Sequence, residues 1–230
     1  MLRIEPEIVG VDIVLVGKFN PTIFSPRWFS SNGLLREGAA DGAEVHVIHP
    51  EVADFTAEWL RVQVTRTKFT AGTVQAPFPR LQDLVCGVFR DCLYHTPLRG
   101  VGINYSVHFL VDSATTRNRI GYALAPLAPW GPWGERLDFG GGHGGMTALR
   151  MSQRKPKGRD EGGQINVTVE PSNRVGSGSG RGVFVTVNDH FAGDGDAERL
   201  MATLAREFES SVCQSEQIVD HVMSLAHKHG

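Results

Sequence analysis

Between positions 99 and 111 the chain alternates. Val101, Ile103, Tyr105, Val107, Phe109 and Val111 take the odd positions, and Gly102, Asn104, Ser106 and His108 the even ones before Leu110. Successive side chains of a strand point to opposite faces. The segment therefore predicts a half-buried antiparallel strand, apolar on one face and small and polar on the other, long enough to cross a whole sheet.

The same reading runs along the rest of the chain. Residues 8–19 are apolar at nearly every position except Asp12, the pattern of a strand that is central or buried on both faces. Ser25 is placed to cap a short helix with Pro26 in its first turn, where the missing N–H has no partner to lose. Trp28, Phe29 and Leu34 form its buried side and Gly33 its stop. Residues 44–49 and 58–69 read as a strand pair. Over residues 80–94, Leu81, Leu84, Val85, Val88, Phe89, Cys92 and Leu93 follow helical spacing, which predicts an amphipathic helix. Ser113 caps a predicted helix over 114–125, closed by Pro126. The PWGPWG run at 129–134 and the GGGHGG run at 140–145 predict irregular structure. Residues 146–154, 164–170 and 182–191 read as three strands joined by polar, Gly-rich connections. Asp194 or Asp196 caps a helix to about residue 211, and Ser215 caps a second one.

These elements place the chain in the α+β class: a curved antiparallel sheet with helices packed mainly on one side. Each half runs strand, helix, strands, helix, over 8–94 and 100–211. The layout is that of two pseudo-repeated β-α-β-β-α halves, followed by a C-terminal helical tail, 212–230. Thr96 and Pro97 leave room for only a turn between the halves, so residues 1–230 are expected to share one core as a single domain.

Composition narrows the function classes. Hydrophobic residues make up 41% and charged residues 21% of 230, an ordinary globular balance, and the net charge of −2 lacks the basic excess of a dedicated nucleic-acid binder. The first apolar run contains Asp12 and is too short to cross a membrane, and no secretory signal precedes it. Three cysteines without a CxxC pair point away from disulfides and structural zinc. A cytoplasmic location, with no membrane, follows as the expectation. The histidines and carboxylates show no metal-ligand spacing, so neither metal nor cofactor is expected.

Candidate chemistry is sparse. Asn104, Ser106 and His108 share one face of their strand, as Thr186, Asn188 and His190 share one face of theirs. If the two strands are neighbours, six polar residues form a ligand-binding face; a merely solvated face explains the same pattern. Asp189 would point the other way and leave His190 unoriented. Ser106 and His108 lie about 7 Å apart at Cβ, too far for a nucleophile and its base, and no nucleophile elbow is present. The Gly-rich run at 140–145 lacks the Lys of a phosphate loop. Arg154, Lys155 and Lys157 flank a hairpin tip that would contact nucleic-acid phosphates or simply be a soluble loop. Trp130 and Trp133 either fold back on the core or present a contact surface.

Three functions remain. The first is a non-catalytic interaction or structural subunit of a larger, bacterial-type protein assembly, whose partner is another protein or a second copy of this chain. The second is a small-ligand-binding protein or hydrolase using the polar sheet face. The third is an RNA- or nucleotide-handling protein. The general layout is loosely similar to tandem ferredoxin-like proteins, including CRISPR RNA-processing endonucleases, but their Gly-rich loop lies near the C-terminus and here it is central. Nucleic acid is therefore not favoured.

Overall fold

The structure, a computed structural model, describes residues 3–137, 145–154 and 163–226. Nine strands form one open antiparallel sheet: β1 (Ile8–Gly17), β2 (Glu44–His49), β3 (Val52–Ala57), β4 (Leu60–Thr65), β5 (Lys68–Thr73), β6 (Leu98–Leu110), β7 (Leu149–Arg154), β8 (Gln164–Pro171) and β9 (Gly182–Gly195). Their spatial order is β2-β3-β4-β5-β1-β6-β9-β8-β7. The expected α+β architecture is therefore the one adopted. In each half the first strand takes the last strand of the following meander as its neighbour, β1 with β5 and β6 with β9. The halves join where β1 pairs antiparallel with β6, and Ile13 faces Ile103.

The alternation of β6 does what its spacing predicts. Val101, Ile103, Tyr105, Val107 and Phe109 are all buried, as are Val11, Ile13 and Leu15 on β1 and Val183, Val185 and Val187 on β9. One hydrophobic cluster draws on both halves. Helix α3 (Pro79–Cys86) packs on β1 and β5, and α6 (Ala197–Ser224) on β6 and β9; the two helices also touch one another. Under the first half sits an aromatic cluster. Phe69 and Phe89 meet edge to face with centroids 4.9 Å apart, and Phe24 lies 5.4 Å from Phe69. Helix α1 (Pro26–Ser31), followed by the short α2 (Glu37–Asp41), adds Phe29, with Ser25 Oγ accepting from Trp28 N as its cap.

Several elements differ from their sequence expectations. Residues 44–49 and 58–69 are not partners. Strand β3 lies between β2 and β4, hidden in the sequence by its two alanines and Asp54. The run 58–69 splits into β4 and β5 at a turn without Gly or Pro, held by Thr65 Oγ1 accepting from Lys68 N at 3.1 Å. After Cys86 the helix widens into a π turn over Gly87–Cys92. That offsets the apolar stripe and leaves Cys92 and Leu93 half-buried. PWGPWG is regular after all: a 3₁₀ turn (Ala128–Trp130) and a four-residue helix α5 (Gly131–Gly134), each with a proline in its first turn. Helix α4 (Ala114–Leu124) carries the Ser113 cap as expected.

No second C-terminal helix is capped by Ser215. Asp196 starts α6, and the helix continues for 28 residues. Ser211 and Ser215 lie buried on its inner face, and Ser215 Oγ donates to the Ser211 carbonyl at 2.7 Å. A serine bonded inside its own helix needs no cap role. The tail proposed for 212–230 is thus, through Ser224, part of the helix that covers the sheet.

Phe69 tests this core. Phe69→Ala is expected to lower unfolding free energy by about 3–5 kcal/mol, whereas Lys68→Ala, exposed beside it, should change it by less than about 0.5 kcal/mol. Urea denaturation of the two variants measures the contrast.

Candidate functional site

The face of the sheet opposite the helices carries a run of polar residues across its central strands. Cross-strand register aligns Asp12, Asn104, Asn188, Asn166 and Ser152 in a single row. Asn188 Nδ2 donates to Asn104 Oδ1 at 2.7 Å, Asn166 Nδ2 to Asn188 Oδ1 at 3.0 Å, and Ser152 Oγ to Asn166 Oδ1 at 2.6 Å. One row along, Ser106 Oγ and Thr186 Oγ1 share a hydrogen bond of 3.1 Å. β6 and β9 are therefore neighbours, and Asn104, Ser106, Thr186 and Asn188 meet on one face.

The two imidazoles do not join them. His108 stands opposite Phe184 and His190 opposite Gly102, six residues apart along β6 and hence about 20 Å distant. His190 lies over Gly100, where a Cβ would come within 2.8 Å of its Cε1. Asp189 is buried on the helix face, so it does not orient His190. Ser106 is bonded to Thr186 rather than to a base, an arrangement without the activated nucleophile of a hydrolase.

Of the six residues, Ser106 and His108 line a groove of about 520 Å³ at one end of the polar face. Its floor is Gly10, Asp12, Gly72, Ser106 and His108. One wall is the two-residue turn between β3 and β4, where Trp59 carries the Arg80 guanidinium 4.2 Å from its ring centroid. The other wall is the segment after β8 that carries Ser172 and Arg174. His108 is buried, stacks on Phe184 at 4.4 Å, and its Nδ1 shares a 2.7 Å hydrogen bond with Ser172 Oγ. Ser172 Oγ also accepts from Arg174 N at 3.2 Å. His108 thus anchors the segment that holds Arg174 over the groove.

Asp12 is the residue that pattern reading passed over. It is the one charge in a strand otherwise apolar, and that exception was its only signal. It sits on the central strand with its carboxylate laid across Gly72; a Cβ built on Gly72 would collide with Oδ1. Burial pushes the Asp12 carboxyl above the usual range, opposed by the nearby guanidinium groups of Arg61 and Arg174. Burial also lowers the pKa of His108, and Arg174 adds to the effect; burial lowers that of His190 against the pull of Asp189.

The remaining candidates lie elsewhere. Trp130 and Trp133 are 59% and 53% exposed, their rings 5.4 Å apart, so they do not fold back on the core. Arg154 ends β7, exposed at the sheet edge, while Lys155 and Lys157 lie outside the described residues. So does the Gly-rich run 140–145, apart from Gly145. Among the described residues no group of three side chains is placed to hold a metal ion, and no helix is long and apolar enough to cross a membrane. The sequence matches no protein-family model and no curated protein.

With His108 and His190 held below the ordinary histidine range, these two rings bind fewer protons in the native state than in the unfolded chain once pH falls below about 6.5. Stability is expected to decline as pH drops through that window. His108→Gln should flatten the decline, measured as the midpoint of thermal unfolding between pH 7.5 and 5; an unchanged slope would show that His108 titrates normally.

Proposed function

We propose that this chain is a non-catalytic binding protein whose polar sheet face takes a small polar ligand in the groove over Asp12. The carrying observation is the placement of that carboxylate. A charge on a central strand costs desolvation, yet here it forms the floor of an open groove flanked by Arg61 and Arg174. The groove is of ligand size and combines an aromatic wall with a few convergent polar groups, as small-molecule sites do. The Ser106–Thr186 pair and the distance to His190 favour binding over hydrolysis.

Amide chemical-shift mapping against a library of small polar metabolites tests the reading. Saturable shifts are expected at Gly10, Gly72, Ser106, Ser172 and Arg174, and Arg174→Ala should weaken them at least tenfold. Ligands that perturb only residues away from the groove would overturn it.

The subunit reading is supported by a separate observation, the exposed Trp130–Trp133 pair. Tryptophan is enriched at interface hot spots, and this exposed pair lies on two short prolyl helical turns. The partner on this reading is another protein or a second copy of the chain, and the second copy is the one tested first. Sedimentation velocity is expected to show concentration-dependent association that Trp130→Ala with Trp133→Ala abolishes. A monomer at all concentrations would remove self-association.

A further inference from the structure

The charges lining the groove are unequally committed. Glu58 is taken by Arg36, with Nη2 to Oε2 at 3.0 Å. Arg61 leans on Asp54 at 3.4 Å, while Gln63 Nε2 donates to the same Asp54 oxygen at 2.9 Å. Asp12, on the floor, and Arg174, on the wall, line the same space, and among the described residues neither forms an ion pair. Arg174 is close enough to favour the charged form of Asp12, with no hydrogen bond between the two among the described residues. Glu170 lies at the rim as a second carboxylate.

Two opposite charges that face one groove without closing on each other leave a gap of complementary polarity. Asp12 stays laid over Gly72, and Arg174 rises from a segment pinned by His108. Ser172 fixes that segment from both sides, through His108 Nδ1 and Arg174 N. The fold therefore fixes where the backbone presents the two charges to the groove.

Resting on the groove reading above, we infer that its ligand is a small zwitterion, of amino-acid to short-peptide size, with its ammonium on Asp12 and its carboxylate on Arg174. An ammonium supplies the donors that the partly buried carboxylate lacks, and charge-assisted hydrogen bonds of this kind are the stronger sort. The guanidinium fork suits a carboxylate, and Arg61 stands close by to add to the same field. A ligand carrying one charge would satisfy only one side of the gap and leave the other desolvated against it.

The probes are the standard amino acids and their unblocked dipeptides, each compared with its N-acetyl and carboxamide derivative by calorimetry on the full chain. At least one zwitterion is expected to bind, with either cap weakening it tenfold or more. Asp12→Asn should abolish discrimination against the N-acetyl form, and Arg174→Ala discrimination against the carboxamide; circular dichroism confirms that both variants are folded. If the two capped forms bind as well as the parent, or no zwitterion binds, the inference is overturned. Binding of an N-acetyl form that depends on Arg174 but not Asp12 would overturn the zwitterion and leave the groove standing. Binding indifferent to both substitutions would overturn the groove as well.

Discussion

The structure depends on the antiparallel pairing of β1 with β6. These two strands lie at the centre of the nine and join the halves. Because side chains alternate, their register decides at once which residues face the helices and which face outward. With Ile13 opposite Ile103 and Val11 opposite Tyr105, the fully buried apolar residues of both strands lie on the helix side. A slip of one residue in one strand would turn its whole apolar set outward and bring Asp12 into the core. The cost of that error holds the register, and the register then passes outward to β5 and β9.

The polar face follows from the same constraint. Once the odd positions are committed to the core, the even ones have to satisfy one another across strands. They do so as an amide row, Asn104 to Asn188 to Asn166, and as a hydroxyl pair, Ser106 with Thr186. Each is a cross-strand contact of the kind that stabilises sheets. The ladder explains most of the polar residues without any ligand. Asp12 is the member left over: it stands in the same row, yet glycine replaces the neighbour that would otherwise fill the space beside it. Side chains omitted at Gly72 and Gly10 make the groove, and the carboxylate occupies its floor.

Local order and function meet again at His108. Its ring is buried against Phe184, and its Nδ1 holds Ser172. This histidine is structural in packing and functional in consequence, because the position of Arg174 depends on it. His190, of the same type and on the same face, merely covers glycine backbone. Residue type and face alone do not distinguish the two; their neighbours in the adjoining strands do.

Period-two alternation in β6, β8 and β9, the Ser25 and Ser113 caps and the apolar stripe of α3 were legible from the sequence alone. Each depends on neighbours within a few residues and on burial of one face, so the α+β class and the antiparallel sheet followed from them. The elements that escaped are those whose stability comes from elsewhere in the chain. Strand β3 needs its partners on both sides to outweigh its alanines and Asp54. The turn at 66–67 is closed by a threonine side chain instead of glycine or proline. Helix α6 runs unbroken through the buried Ser211 and Ser215, where a local reading sees a cap. The site divides in the same way. The sequence placed Ser106 and His108 on a polar face, because alternation is local. Only the tertiary structure brought Asp12, Gly72, Arg61 and Arg174 around one groove, because they come from different strands and loops, and only their packing sets the distances between their charges.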